Sequence, residues 1–287
     1  MTDQEEGPAC TIDEAVRYLR DDPSHADLVR DAYLGRDVRD SAERFLNSGE
    51  FHEVRHILST RLDGAHVLDV GAGTGIASLA LLASGARRVI ALEPDPSDEV
   101  GRGALGRLDP GGRVEMIDSF GEEIPLADAE VDIVYARQVL HHAADLKGLV
   151  RECARVLRPG GIFIACREHV VDNDDELRAF LAAHPIHQLA GGENAFSLEE
   201  YLDALRAGSL EVERVSGPWD SIINAFPMVR SASELKTHAR DALKRRFGLA
   251  GTIVSWIPGV QRVVRSRIQP RYPGRLYTFV ARKRIAQ

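Results

Sequence analysis

Cysteine, lysine and long apolar runs are all scarce in this 287-residue chain, and each scarcity removes a class of protein. Three cysteines (Cys10, Cys153, Cys166) are too few and too scattered for a disulfide framework or a thiolate metal site. No apolar stretch approaches the ~20 residues that a helix needs to span a bilayer. The first ten residues, MTDQEEGPAC, are acidic and polar, unlike a secretory signal. The expectation is a cytoplasmic protein. Lysine occurs four times among 36 basic residues, an arginine bias that GC-rich coding explains more simply than function does. Internal repeats and low-complexity tracts are also missing.

Acidic residues are nearly absent from one segment. Residues 236–287 carry 13 basic side chains and one acidic one, Asp241, whereas residues 1–60 hold seven basic and 14 acidic, and residues 61–235 hold 16 and 29. The net charge of -8 therefore joins an acidic body to a basic end. A hydrophobic content of 44% supports a packed core, and the length suits one large domain with elaborations.

Helical spacing covers residues 11–20 and 24–60, broken near Asp21-Asp22-Pro23. From residue 65 strands and helices alternate. Strand-like runs are 65–70, 88–93, 113–118, 131–136 and 161–168, with helical stretches at 75–84, about 97–107 and 138–157. This alternation predicts an α/β fold, a parallel sheet wound with helices on both faces. A helix (197–208) and a strand (210–217) follow, and then a 57-residue insertion (218–274) before a last strand at 275–282. Two strands so late suit an antiparallel edge, and Arg282-Lys283-Arg284 would guard that edge against pairing. The plan is a helical N-terminal segment (1–62) that would serve as a lid, an α/β domain (63–217 and 275–287) and a basic insertion that would serve as a cap (218–274).

The segment VLDVGAGTG, Val67 to Gly75, ends a hydrophobic strand in Asp69 and turns through Gly71, Gly73 and Gly75 into a helix. Such a turn lets a ligand approach the backbone without a Cβ in the way. Glu93 closes the next strand about 20 residues on, where a carboxylate can take both ribose hydroxyls. Asp118, Ser119 and Phe120 end the third strand, where they can read an adenine edge. A dinucleotide fingerprint would need Gly or Ala at position 76, which is Ile76.

The G-x-G-x-G form resembles the class I S-adenosylmethionine-dependent methyltransferases. ALEPD (91–95), the stretch 113–142 and RVLRPGG (155–161) are similar to the ubiquinone-biosynthesis-like branch, so the resemblance covers about 66–168. It implies a seven-stranded, mostly parallel sheet with the last strand antiparallel, and S-adenosylmethionine as cofactor. It carries over Asp69, Gly71, Gly73, Gly75, Glu93, Asp118, Ser119, Phe120 and Arg137 (through its backbone) as cofactor contacts. A nicotinamide oxidoreductase and a non-catalytic cofactor-binding partner subunit remain as alternatives.

For the acceptor, Ala136-Arg137-Gln138-Val139 lacks both the N/D-P-P-Y/F motif of base amino-methylation and the Pro-Cys of cytosine methylation, so no nucleic acid is expected. Five of ten histidines fall between positions 141 and 187. His141 or His142 is a candidate general base, helped by Glu168 or His169, for a hydroxyl acceptor. The bland reading is that the pair only stabilises a helix start. A metal site from His169, His184, His187 and Glu193 would need tighter ligand spacing, so no metal is expected. Tyr18, Tyr33, Arg44 and Phe45 could close as a lid, although Phe45 more simply packs the helices onto the sheet. The basic insertion 236–274, with Ile253, Val254, Trp256 and Ile257, is open to three readings: a solvated cap, a wall for an acidic acceptor, or contact with an anionic membrane that carries a lipid-linked acceptor.

Overall fold

The computed structural model describes residues 10–254 and 272–285. Helices α1 (Ile12–Asp21), α2 (Ala26–Asp31), α3 (Val38–Leu46) and α4 (Gly49–Leu58) precede strand β1 (His66–Val70). There follow α5 (Ile76–Ala83), β2 (Arg88–Leu92), α6 (Arg102–Leu108), β3 (Glu115–Ile117), β4 (Val131–Arg137), α7 (Leu146–Val156) and β5 (Leu157–Val170). The chain then forms α8 (Asp174–Ala183), α9 (Pro185–Ala190), α10 (Leu198–Ala207) and β6 (Leu210–Ser216). It ends in α11 (Ile222–Ala225), α12 (Ala232–Val254) and β7 (Arg275–Lys283).

The seven strands make one sheet in the order β3-β2-β1-β4-β5-β7-β6, parallel from β3 to β5, with β7 antiparallel to both neighbours. Apolar residues fill successive strand positions because helices cover both faces. Val67, Val89, Ile133, Tyr135 and Ile164 face one layer, with Phe45, Phe51 and Leu81. Leu68, Ile90, Val134, Phe163 and Phe279 face the other, with Val150, Cys153 and Leu205. Both cysteines in the sheet region, Cys153 and Cys166, are buried core residues. The strand order reverses between β1 and β4, which opens a crevice at the carboxyl ends of those strands.

Local signals explain the helix starts. Thr11 with Glu14, and Ser197 with Glu200, form reciprocal capping boxes at α1 and α10. The stretch 138–145, expected to open a helix, is instead a turn followed by one 3-10 turn at Leu140–His142. Gln138 takes a φ of +56°, which a continuous helix does not accept.

The last strand corrects an expectation. It does not lie at the edge but is inserted between β5 and β6. Phe279, Val280 and Ala281 are buried and suit an interior position, whereas β6 alternates with exposed charged residues and suits the edge. Arg282 and Lys283 are therefore not edge guards. Arg282 Nε donates to Glu213 at 2.5 Å, and Lys283 Nζ donates to the carbonyls of Arg155 and Leu157 at 3.2 and 2.7 Å.

In the insertion, Ile222, Ala225, Val229 and Leu235 form a small core, and Trp219 stacks on His238. Helix α12 kinks at Gly248. Trp256, Ile257 and the basic run after them fall outside the described residues.

Candidate active site

The glycine turn after β1 is built for close approach. Gly71 and Gly75 have φ of +60° and +77°, a region that L side chains avoid. A Cβ on Gly71 would lie 2.6 Å from Val139 Cγ2, and one on Gly75 would lie 2.1 Å from Leu105 Cδ1. Glycine at these two positions thus lets the turn pack directly against Val139 and Leu105. Glu93 at the end of β2 braces it: Oε2 accepts the Gly73 N–H at 2.7 Å and Oε1 accepts the Asp95 N–H at 2.9 Å. Each oxygen keeps a further lone pair for a hydroxyl donor. Asp69 is buried and accepts the Ser78 hydroxyl at 2.6 Å, and burial pushes its carboxyl up to about 7.

A cavity of about 680 Å³ opens from this turn. The sheet side supplies Asp69, Gly71, Gly73, Arg137, Gln138, Arg167 and His169. The lid side supplies Val16, Leu28, Tyr33 and Leu34. Helix α1 is fastened over it by ion pairs from Arg17 and Arg20 to Glu99 and by the Ser97 hydroxyl on Asp13. Of the expected lid residues, Tyr33 faces the cavity, Phe45 is fully buried, Tyr18 is exposed and Arg44 bonds the Arg30 carbonyl and Asp40.

The structure brings together only some of the expected cofactor residues. Asp69, Gly71, Gly73 and Arg137 line the cavity, while Gly75 and Glu93 shape the turn from behind. Asp118, Ser119 and Phe120 lie outside its lining. Asp118 pairs with Arg102, the Ser119 hydroxyl donates to the Glu123 carbonyl, and Phe120 is exposed.

Arg137 does more than present its backbone. Its guanidinium donates to both oxygens of Glu50, at 2.6 and 3.2 Å, and lies over the rings of Tyr33 and Phe45. Sequence reasoning missed Glu50. A signal was available, because Glu50, Val54 and Leu58 share one face at i, i+4 and i+8, and a carboxylate on an apolar stripe needs a partner.

Four histidines and two carboxylates gather at the ends of β4 and β5. His141 is buried, and its Nδ1 lies 2.8 Å from Glu168 Oε2, which also accepts the His141 backbone N–H at 3.1 Å. Its Nε2 is 3.6 Å from Glu193. Burial works against the imidazolium, but Glu168 and Glu193 outweigh it and raise His141 to about 9. His141 is therefore a cation at neutral pH. His142 points Nδ1 at the Gly192 carbonyl, 3.1 Å away, and its Nε2 lies 3.9 Å from Glu193. Desolvation at the cavity wall and then the adjacent His141 cation push His142, whose side chain keeps 44% exposure, below the ordinary histidine value, so it is neutral. His169 bonds the Gly274 carbonyl through Nδ1 at 2.8 Å, and burial drives it down to about 3.

Glu193 binds this cluster rather than a metal set with His169 and His187. Burial alone would raise it, but the His141 imidazolium 3.6 Å away and the flanking histidines hold it down at about 2. The tight trio among the described residues is His141, His142 and Glu193, with one donor atom from each within 4.8 Å of the others. That spacing allows a shared proton or cation, on a trio that shares only Glu193 with the set weighed from the sequence, of which His184 also lies 3.8 Å from Glu193.

A glycine turn at the switch point, a carboxylate closing the second strand and helices over the crevice make a site of the nucleoside-binding kind. The comparisons agree. The methyltransferase-domain family matches residues 68–165. A probable S-adenosylmethionine-dependent methyltransferase of Mycolicibacterium smegmatis is 34% identical over 194 residues, 59% of this chain and 73% of that protein. The ubiquinone biosynthesis O-methyltransferase of Rhizobium etli is 30% identical over 161 residues, 54% of this chain and 64% of that protein. Further mycobacterial relatives match over 37–39% of their own lengths. A solved S-adenosylmethionine dependent methyltransferase from Mesorhizobium loti shares the fold, with a TM-score of 0.53 at 16% identity over 82% of this chain and 98% of that one. The chain belongs to the S-adenosylmethionine-dependent methyltransferases.

Proposed function

We propose that the protein methylates a hydroxyl oxygen of a small metabolite, with His142 as the general base. The bound cofactor supplies the electrophilic methyl group. Methyl transfer is an in-line displacement, and positioning the acceptor accounts for much of its rate. A cavity of about 680 Å³ suits a small acceptor. Among the described residues no helix is long and apolar enough to cross a membrane.

One observation carries the base assignment. The Gly192 carbonyl holds the His142 Nδ1–H, which leaves the Nε2 lone pair free at the cavity wall. His141 is already protonated between Glu168 and Glu193 and has no lone pair to offer. Its role is to hold both carboxylates, so that Glu193 beside His142 stabilises the imidazolium formed on proton transfer. Glu168 fixes His141, and His169 packs against it as a neutral ring. That one relative is named as an O-methyltransferase supports oxygen as the acceptor atom.

The test is transfer from methyl-tritiated S-adenosylmethionine to a panel of phenols, sugars and hydroxy acids. The expected product is a methyl ether, with turnover in His142→Ala lowered by about 10²–10⁴-fold while S-adenosylhomocysteine still binds. Methylation of nitrogen or carbon alone, or full turnover in His142→Ala, would overturn the assignment.

A further inference from the structure

Arg167 is a buried cation that the chemistry above does not use. It sits where β5 bulges, between the register of Ala165 and that of Glu168, and its φ is +62°. A bulge inserts a residue and re-aims a side chain. Here it turns Arg167 toward α11 while Glu168, next in the chain, reaches His141. Such a backbone conformation in a non-glycine residue costs about 1–3 kcal/mol and persists where the surroundings enforce it.

The guanidinium is only half satisfied. Its Nη1 donates to the carbonyls of Ile223 and Phe226, at 2.6 and 2.8 Å, and its plane lies over the Phe226 ring. Its Nε is buried with no hydrogen-bond partner, and Arg167 has no ion pair among the described residues. The carboxylates that line the cavity, and Glu50 behind it, are engaged elsewhere. Glu50 gives both oxygens to Arg137, Glu193 serves the histidines, Asp27 and Asp31 pair with Arg30, and Asp69 bonds Ser78. The pocket holding Arg137, Arg167 and Glu50 thus has one positive charge in excess, in surroundings where an unpaired charge is costly.

A second residue repeats the pattern. Tyr33 among the N-terminal helices has a φ of +60°, stacks on the same Phe226 at 5.9 Å between centroids, lines the same cavity and holds its buried hydroxyl beside Ser48 without a hydrogen bond of ordinary geometry. Two residues with uncommon backbone conformations, one from the sheet and one from the lid, therefore meet on one ring with unused donors.

We propose that Arg167, with the Tyr33 hydroxyl, seats a carboxylate carried by the methyl acceptor, which makes the acceptor a hydroxylated organic acid. With Nη1 committed to two carbonyls, the Nε/Nη2 edge remains, and that edge matches a carboxylate bidentately. The anion neutralises the pocket and ties the lid to the sheet. Arg167 and His169 are two strand positions apart, about 7 Å, so the carboxylate seat lies close to the histidine cluster. The inference rests on the reading of the site as a small-molecule methyltransferase centre, but its test reads binding and not turnover, so the two fail separately. The cofactor carries a carboxylate too, and the test distinguishes that source.

Thermal shifts of the protein saturated with S-adenosylhomocysteine are measured with acetate, benzoate and 4-hydroxybenzoate, and with phenol as the neutral control. Calorimetry then compares S-adenosylhomocysteine with 5′-methylthioadenosine, which lacks the carboxylate. The proposal expects the carboxylates and not phenol to stabilise the saturated wild-type protein. It expects Arg167→Met to weaken carboxylate binding by about tenfold or more and Tyr33→Phe, which keeps the ring stack, by several-fold. Affinity for S-adenosylhomocysteine should stay within about twofold in both variants. A loss of S-adenosylhomocysteine affinity in Arg167→Met, with 5′-methylthioadenosine unaffected, would instead assign Arg167 to the cofactor carboxylate. Absence of any stabilisation by the three acids would remove the seat altogether.

Discussion

Replacing Glu50 by Gln removes one charge from the interior and leaves nearly the same shape. Glu50 has no exposed side-chain surface, and Arg137, bonded to both its oxygens, keeps only 13%. Breaking a buried ion pair from one side leaves the other charge uncompensated, which costs about 3–5 kcal/mol. The lower end applies here, since the Gln carbonyl still accepts one hydrogen bond. Arg167 shares the pocket wall, so two cations then lie beside one ring system with no anion. For a domain of this size each kcal/mol moves the midpoint by about 2–4 °C, so the expected drop in Tm is about 6–12 °C. Urea unfolding gives the free energy directly, with an unchanged m-value as the sign that the unfolded state is the same. The double variant Glu50→Gln/Arg137→Met should recover much of the loss, because the stranded charge is then gone. A loss below about 1 kcal/mol in Glu50→Gln would mean that Arg137 does not depend on Glu50 for its charge balance.

Two further outcomes follow from the cradle and the histidines. Gly75→Ala combines a left-handed backbone penalty of about 1–2 kcal/mol with an overlap on Leu105, so calorimetry should show S-adenosylhomocysteine binding weakened by at least tenfold. The pH profile of turnover should rise through a point below 6.5, where His142 loses its proton, and fall above about 9, where His141 loses its own. The stability linkage has the matching sign. Because folding raises His141 from 6.5 to about 9, its contribution is complete below pH 6.5 and is lost as pH climbs through 9, which urea titrations across that range would show.

The parallel half of the sheet was legible because β1, β2 and β4 are mostly apolar short runs and the turns after them carry glycine or acidic markers. The cofactor cradle was legible for the same local reason: Gly71, Gly73, Gly75 and Glu93 lie within 23 residues of chain. What escaped depends on partners distant in sequence. Glu50 meets Arg137 across 87 positions, and the basic end of β7 finds Glu213 and two carbonyls instead of solvent. The adjacent histidines were visible, but their division into a cation and a neutral base depends on Glu193 and the Gly192 carbonyl, which a loop fifty residues later delivers. The Arg167 bulge left little trace beyond an arginine at the end of an apolar strand. Even the charge asymmetry along the chain looks different in three dimensions, since Arg275 of the basic segment is buried against Asp172 and Glu176.

The division of labour between His141 and His142 is the centre of this account, and it can be measured without knowing the acceptor. Long-range proton–nitrogen correlation spectra of the imidazoles, assigned with His141→Gln and His142→Gln, report both protonation and tautomer across a pH titration. His142 should be neutral at pH 7 with its proton on Nδ1 and titrate below 6.5, while His141 remains doubly protonated until about pH 9. A His142 that is protonated at pH 7, or that carries its single proton on Nε2, would contradict this division.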